Sequence, residues 1–155
     1  LAPQLTLDVP ILFSAMSYGS ISYNACESLA RAATAAGTYY NTGEGGLHPD
    51  LYRYGELTIA QVASGRFGVH LDYLNAVAAL EIKIGQAAKP GLGGHLPQAK
   101  ITEEIAAIRG VPRDRDAIPP GRPFHLERPE DLAATVAQPR EWIDGRTVGV
   151  EAAGL

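Results

Sequence analysis

The feature that most limits the possible folds is a repeated order of strand-like runs and helical patterns. Residues 9–17 (VPILFSAMS) form a continuous apolar run, which is typical of a strand buried on both faces. Residues 38–46, 80–86 and 146–152 also have the pattern of strands, and the first of these ends in a glycine turn. Because helices that connect strands in this order leave them parallel, the chain is predicted to have an α/β fold with crossover helices.

Two segments between these runs have helical patterns with recognisable ends. Residues 22–37 place alanine and leucine at helical spacing, with Ser22 as the N-cap and Gly37 as the C-terminal stop. Residues 101–110 (ITEEIAAIRG) place three isoleucines on one face, with glutamates in the first turn and Gly110 at the end. Each segment therefore predicts an amphipathic helix that covers the sheet.

The region after Gly110 is harder to assign. Residues 110–130 are rich in proline and irregular, and a loop of this length is usually a functional lid or poorly ordered. A helix is predicted over residues 130–137, with Pro129 at its first position. Pro139 is predicted to interrupt that helix, because proline lacks the backbone donor and clashes with the preceding turn.

Composition narrows the class of protein. The 155 residues are predicted to form a single domain over 1–155, and 46% hydrophobic residues are ordinary for a globular chain. A formal net charge of -4 argues against nucleic acid or an acidic membrane surface as a partner. No segment has the roughly 18 consecutive apolar residues of a membrane span, so we expect a soluble protein.

The cysteine and the histidines bear on the cellular location and on metal binding. Cys26 is the single cysteine, so it cannot form an intramolecular disulfide, and a reducing cytoplasm is the expected location. The histidines share no metal-ligand spacing, and no metal site is predicted; they are His48, His70, His95 and His125.

Glycine-rich loops follow three of the strand-like runs. They are AMSYGS at residues 15–20, NTGEGG at 41–46 and GQAAKPGLGGH at 85–95. Ligands of parallel α/β proteins bind at the carboxyl ends of the strands, so these loops are expected to converge on one site. Glycine there allows a ligand to lie against the backbone.

Four consecutive motifs carry a resemblance to a known family. They are FSAMSYGSIS, NTGEGG, QVASGRFGV and EIKIGQAAKPGLGGHLPQAKITEEIAAIRG, and together they span about residues 10–110. This order resembles the FMN-binding synthase domain of glutamate synthase, particularly of the archaeal-type and related glutamate synthase-like proteins. The resemblance implies a (β/α)8 barrel. The chain has fewer strand-like segments than the eight of a closed barrel, so it is expected to be the N-terminal part.

The resemblance also implies a reaction and its partners. Ammonia, released from glutamine by a separate glutaminase domain or subunit, converts 2-oxoglutarate to 2-iminoglutarate, and hydride from reduced FMN then gives L-glutamate. The family's iron–sulfur cluster is expected in the full-length protein, although its cysteines are absent from this chain. The remaining half of the barrel, or a second copy of the chain, is expected as a further partner.

The resemblance assigns roles to residues of the motifs. The predicted catalytic residues are Glu44, near the imine carbon, and Lys89. The predicted substrate-binding residues are Gln86, Lys89, Gly93, His95 and Arg109. The predicted cofactor-binding residues are Ala15, Met16, Ser17, Gln61 and Lys83. Lysine and arginine supply the charges that a 2-oxo diacid needs, and a lysine at the pyrimidine edge of a flavin stabilises its reduced anion.

Simpler interpretations remain for single residues. Lys83 could be a solvated side chain at a strand end, Glu44 could be a turn residue, and Arg109 could complement a helix dipole. Glu151 stands where the resembled family tends to carry lysine, which reverses a charge predicted to face the flavin.

Two other functions are open from the sequence. One is a related enzyme, of the N-methylglutamate synthase type, that uses another amine. The other is a non-catalytic half-barrel that binds only a partner or a diacid. Because the predicted contacts for the flavin phosphate lie beyond this segment, the isolated chain is expected to bind FMN weakly or not at all and to dimerise.

Overall fold

A computed structural model describes residues 5–85, 94–121, 128 and 130–151. Within them the chain forms one four-stranded sheet whose strand order follows the sequence and whose neighbours are all parallel. The strands are β1 (Tyr40–Asn41), β2 (Thr58–Ala63), β3 (Ala79–Lys83) and β4 (Thr147–Glu151). This arrangement confirms the predicted α/β class and is compatible with part of a (β/α)8 barrel.

Four α-helices and three 3-10 helices accompany the strands in the described part of the chain. The α-helices are α1 (Tyr23–Ala36), α2 (Leu71–Asn75), α3 (Glu103–Arg109) and α4 (Asp131–Trp142). The 3-10 helices are Gly43–Gly45, Pro49–Leu57 and Gln98–Lys100.

The predicted ends of α1 and α3 are confirmed. Ser22 accepts a hydrogen bond from the backbone N–H of Ala25 at the start of α1, and Gly37 ends this helix in the left-handed conformation, with φ 63°. Gly110 ends α3 in the same way, with φ 66°. These ends follow from local chemistry, because each cap satisfies a backbone group that the helix leaves unpaired.

The predicted strand at residues 9–17 is wrong. The segment forms no strand, residues 9 and 10 lie in a bend, and Ile11 and Leu12 are more than half exposed. The N–H of Asp8 donates to the carbonyl of Gly37, and the Thr38 hydroxyl donates to the carbonyl of Ile11. These contacts place the segment beside the start of β1 without the repeated backbone ladder that a strand requires.

Two further expectations are corrected. The predicted interruption of the last helix is wrong, because α4 continues through Pro139 to Trp142. Proline has helix-compatible φ, so it removes one hydrogen bond without ending a helix whose other bonds remain. Strand β2 and helix α2 were not predicted from the sequence. The first position of that last helix, predicted at Pro129, lies outside the described residues.

The two faces of the sheet differ in polarity. Side chains alternate along each strand, and parallel register aligns Ala63 with Lys83 and Lys83 with Glu151 on one face. The opposite face presents Tyr40 and Leu80 to the main apolar cluster, where residues of α1, α2 and α3 cover them. The sheet therefore buries one apolar face under its helices, while the opposite face combines a small second apolar cluster with the polar side chains near the strand ends.

Alkaline pH is expected to unfold the chain as its buried tyrosines ionise. Burial and the Glu104 carboxylate raise the pKa of Tyr18 to about 12, and burial raises the pKa of Tyr40 and Tyr73 above the usual 10.0. Since unfolded tyrosines release protons from about pH 10, the free energy of unfolding falls as the pH rises above that value.

This effect is measured by following tyrosinate absorbance and circular dichroism together from pH 9 to pH 13, values set by the usual tyrosine pKa of about 10. The chain in concentrated urea provides the reference titration of all seven tyrosines. Complete ionisation of the seven near pH 10, with native circular dichroism, would contradict the expectation.

Candidate functional site

A cavity of about 230 Å³ opens at the carboxyl ends of the strands. Its lining residues are Ala15, Met16, Ser17, Ser20, Ile21, Gly43, Glu44, Gln61, Lys83, Gly94, His95 and Arg109. This set includes every residue of the predicted site that the structure describes. The other predicted residues, Gln86, Lys89 and Gly93, lie outside the described residues.

A buried ion pair lies at the base of this cavity. Lys83 is the last residue of β3, and its Nζ lies 2.9 Å from Oε1 of Glu44, which belongs to the 3-10 turn after β1. The side chains are 7% and 10% exposed. Burial of both charges is costly unless they pair, so this geometry is difficult to explain as a solvated lysine and a surface turn.

The turn that carries Glu44 depends on a glycine. Gly43 has φ 65°, and a Cβ at this position would lie 2.6 Å from the backbone nitrogen of Ser17. The absence of a side chain therefore lets the turn lie directly against the backbone of Met16 and Ser17. This contact forms one wall of the cavity.

A second carboxylate, that of Glu151, lies close to the Lys83 ammonium group. Glu151 is in register with Lys83 on the neighbouring strand, and its Oε2 lies 3.7 Å from Nζ. Burial raises the pKa of Glu151, the charge of Lys83 opposes this shift, and the nearby Glu81 and Glu44 carboxylates add to it. Lys83 is thus shared between two carboxylates, one on each side.

Gln61 connects these carboxylates to the rest of the polar face. Its Nε2 donates to Glu81 Oε1 and to Glu151 Oε2, each at 2.7 Å. Asn41 Nδ2 donates to the same oxygen of Glu81 at 2.9 Å. Gln61 is 1% exposed, and its Oε1 has no hydrogen-bond partner among the described residues. Gln61 lines the cavity, so one residue of its wall has a buried acceptor that no described protein group satisfies.

Arg109 approaches the cavity from the end of α3. It is 3% exposed, its Nη2 donates to the carbonyl of Tyr18 at 3.0 Å, and its Nε has no partner among the described residues. A Cβ on Gly45 would lie 2.9 Å from Nη2, so glycine makes room for the guanidinium. Burial lowers the pKa of Arg109, and the Glu44 carboxylate opposes this shift. A favourable interaction with the helix dipole would not by itself require the Arg109 side chain to be buried.

His95 and Gly94 form the opposite wall. His95 Nε2 lies 3.0 Å from Oδ2 of Asp116, in the loop that follows α3. Gly94 has φ 70°, and a Cβ there would lie 2.8 Å from Oε2 of Glu44. The backbone at Gly94 therefore passes close to the buried ion pair.

A second polar network fixes the start of α3. The Tyr18 hydroxyl donates to Glu104, and His48 Nε2 lies 2.8 Å from the other oxygen of this carboxylate. The backbone N–H of Asp50 donates to His48 Nδ1, so the ring proton is on Nε2. Both hydrogen bonds lower the pKa of Glu104. With Arg109 bonded to the Tyr18 carbonyl, this network attaches both ends of α3 to the loop before α1.

Several polar residues of this region were not predicted from the sequence. Glu81 could have been found from the alternation in β3, because Glu81 and Lys83 are two positions apart and share a face. Asn41 and Asp116 carry no comparable signal. Their partners come from segments distant in sequence.

Across residues 5–85, 94–121, 128 and 130–151, no group of three or more histidines, cysteines or acidic residues could hold a metal ion. No helix in this part of the chain is long and apolar enough to cross a membrane.

A parallel α/β sheet with a charged cavity at its strand ends is compatible with part of a barrel of the type that binds ligands at this edge. The sequence model described as a conserved region in glutamate synthase matches residues 1–153, and the chain belongs to this family.

Several relatives agree with this assignment. The archaeal-type glutamate synthase (NADPH) of Thermotoga maritima is 58% identical over 132 residues, which cover 85% of this chain and 26% of that protein. The archaeal glutamate synthase (NADPH) of Methanocaldococcus jannaschii is 52% identical over 141 residues, covering 91% and 28%. The glutamate synthase large subunit-like protein of Rhizobium meliloti is 35% identical over 138 residues, covering 89% and 31%. The chain thus spans about a quarter of the length of the first two relatives.

Proposed function

We propose that this chain supplies the flavin-ring and substrate side of an FMN-dependent glutamate synthase. The full-length protein would convert 2-oxoglutarate to L-glutamate with ammonia and reduced FMN. The observation that carries this proposal is the buried Glu44–Lys83 pair in a cavity at the carboxyl ends of parallel strands, together with Gln61 Oε1, which has no partner among the described residues. Such a cavity combines charge, a buried acceptor and glycine-lined backbone.

The described residues fit the ring of FMN. Gln61 Oε1 is an acceptor without a partner in the described part of the chain, and the pyrimidine ring of a flavin carries an N–H donor. Ala15, Met16 and Ser17 provide a backbone wall for the ring. The volume of about 230 Å³ is below the roughly 300–1,000 Å³ of a typical ligand pocket, so it suits one part of the cofactor.

The charged residues have distinct tasks in this reaction. Lys83 would place a positive charge at the pyrimidine edge of the flavin. The nearby Glu44 and Glu151 carboxylates partly neutralise this charge. Arg109 offers a buried guanidinium to a carboxylate of the diacid, joined by Gln86, Lys89, Gly93 and His95.

Glu44 is the general acid–base candidate. Its carboxylate lies at the cavity, where it can take a proton from the attacking amine and return one as water leaves the carbinolamine. When bound, FMN would supply the hydride for the resulting imine carbon. The paired Lys83 holds Glu44 in position through this sequence.

Further partners of the full-length protein follow from the same reaction. Ammonia would come from a glutaminase domain or subunit, and an iron–sulfur cluster would use cysteines outside this chain. Cys26 is 0% exposed and packs in the hydrophobic core. It is therefore not proposed as a ligand of the iron–sulfur cluster. A single reduced cysteine fits a cytoplasmic location.

The test uses the full-length protein that contains this chain. We expect it to purify with a flavin absorbance spectrum and to consume 2-oxoglutarate when reduced FMN and ammonia are supplied. Methylamine replaces ammonia as the matched substrate control. Faster turnover with methylamine would replace the proposal with the alternative of another amine. Absence of both flavin and turnover in the folded protein would overturn it in favour of a binding role.

A further inference from the structure

We propose that Asp116 is a positioning residue that holds His95 and Gly94 in the wall of the ligand cavity. The inference rests on the proposed function, because it takes this cavity as the substrate site. It gives a role to one residue of the segment 110–130, which the sequence pattern predicted only as a lid or a poorly ordered loop.

The Asp116 carboxylate contacts both the His95 ring and the backbone of Gln98. Asp116 Oδ2 lies 3.0 Å from His95 Nε2, and Oδ1 accepts a hydrogen bond of 2.7 Å from the backbone N–H of Gln98. Since an ionised carboxylate only accepts, His95 must donate its Nε2–H. These two hydrogen bonds lower the pKa of Asp116, which keeps it ionised at neutral pH.

A backbone bridge supports the same contact. Leu96 and Ala117 exchange two hydrogen bonds, of 3.0 and 2.9 Å, as an antiparallel bridge. Both residues are buried, at 3% and 4% exposed. The bridge holds the two backbones together, and the carboxylate of Asp116 then decides which ring nitrogen of His95 carries the proton and where the ring points.

The consequence of this contact is geometric. The His95 and Asp116 side chains are 47% and 42% exposed, and ion pairs in such positions contribute little to stability. His95 nevertheless lines the cavity, and its neighbour Gly94 approaches Glu44 so closely that a Cβ would lie 2.8 Å from Oε2. A small shift of this wall would therefore weaken the contact that His95 offers to a bound substrate.

The first test observes the contact in the 155-residue chain. Asp116→Asn can keep an oxygen for the Gln98 N–H while it presents an amide donor to the histidine. We expect the nitrogen NMR signals of His95 to report a move of the ring proton from Nε2 to Nδ1. The matched control is Asp114→Asn, which removes the same charge from an exposed position two residues earlier. It should leave the His95 signals unchanged.

The second test measures catalysis in the full-length protein that contains this chain. Asp116→Asn is expected to raise KM for 2-oxoglutarate about tenfold while kcat changes less than about threefold, because a misplaced histidine weakens substrate binding. Asp116→Glu, which keeps the carboxylate, should recover part of the affinity. Asp114→Asn should have wild-type constants.

The outcomes separate this inference from the proposed function. Unchanged His95 signals in Asp116→Asn, or an unchanged KM, would overturn the positioning role. If the wild-type protein turns over no 2-oxoglutarate, the proposed function fails. The His95 and Gly94 NMR signals then decide the positioning role by themselves: a shift of both in Asp116→Asn supports it, and unshifted Gly94 signals overturn it.

Discussion

Replacing Lys83 with methionine is expected to destabilise the chain by about 3–5 kcal/mol, the usual cost of removing one partner from a buried ion pair. Methionine has a similar length, so the main loss is the charge. It would leave Glu44, whose side chain is 10% exposed, facing Glu151 without the cation between them. Urea unfolding followed by circular dichroism measures the change in the free energy of unfolding.

A second substitution tests the electrostatic origin of this loss. In the double variant Lys83→Met and Glu44→Gln, no ionised carboxylate of the pair remains, so the stability should partly return. Lys100→Met provides the control, because Lys100 is exposed and the same change there should alter stability by less than about 0.5 kcal/mol. If Lys83→Met and Lys100→Met have the same free energy of unfolding, the Glu44–Lys83 ion pair does not stabilise the fold.

The second large effect concerns catalysis. Glu44→Gln in the full-length protein that contains this chain should lower kcat for reductive amination by about 10²- to 10⁴-fold, the usual contribution of a general acid–base group. Glutamine keeps an oxygen that can accept a hydrogen bond from Lys83, whose Nζ is 2.9 Å from the native carboxylate. The decrease in kcat would therefore result mainly from lost proton transfer and not from a structural change of the site. Steady-state rates with saturating 2-oxoglutarate and ammonia measure it.

Two controls accompany the Glu44 variant. Glu103→Gln removes a carboxylate whose side chain is 91% exposed on α3, and its kcat should equal that of the wild type. The flavin content of Glu44→Gln should also match the wild type, because the proposed ring contacts come from other residues. A kcat within threefold of the wild type would remove Glu44 from the acid–base role.

The polar cavity shows how far a motif can predict a site. Glu44, Gln61, Lys83, His95 and Arg109 were assigned from motif resemblance, and the structure places them around one cavity. Their roles stay predictions. Their partners could not be predicted in the same way, because Asp116 and Glu151 meet His95 and Lys83 only when distant loops and strands come together.

Local chemistry in the sequence by itself determined the ends of α1 and α3, because Ser22, Gly37 and Gly110 act on backbone groups a few residues away. It also determined the parallel α/β class, through the order of apolar runs and helical patterns.

The tertiary structure decided which runs became strands. Residues 9–17 have the apolar pattern of a strand yet lack a backbone ladder, whereas residues of the unpredicted β2 pair with strands on both sides. It also decided the electrostatics of the cavity, since Lys83 meets Glu44 and Glu151 only when three strand ends come together. The physical reason is that strand pairing and charge burial depend on neighbours distant in sequence, while a helix cap depends on residues nearby.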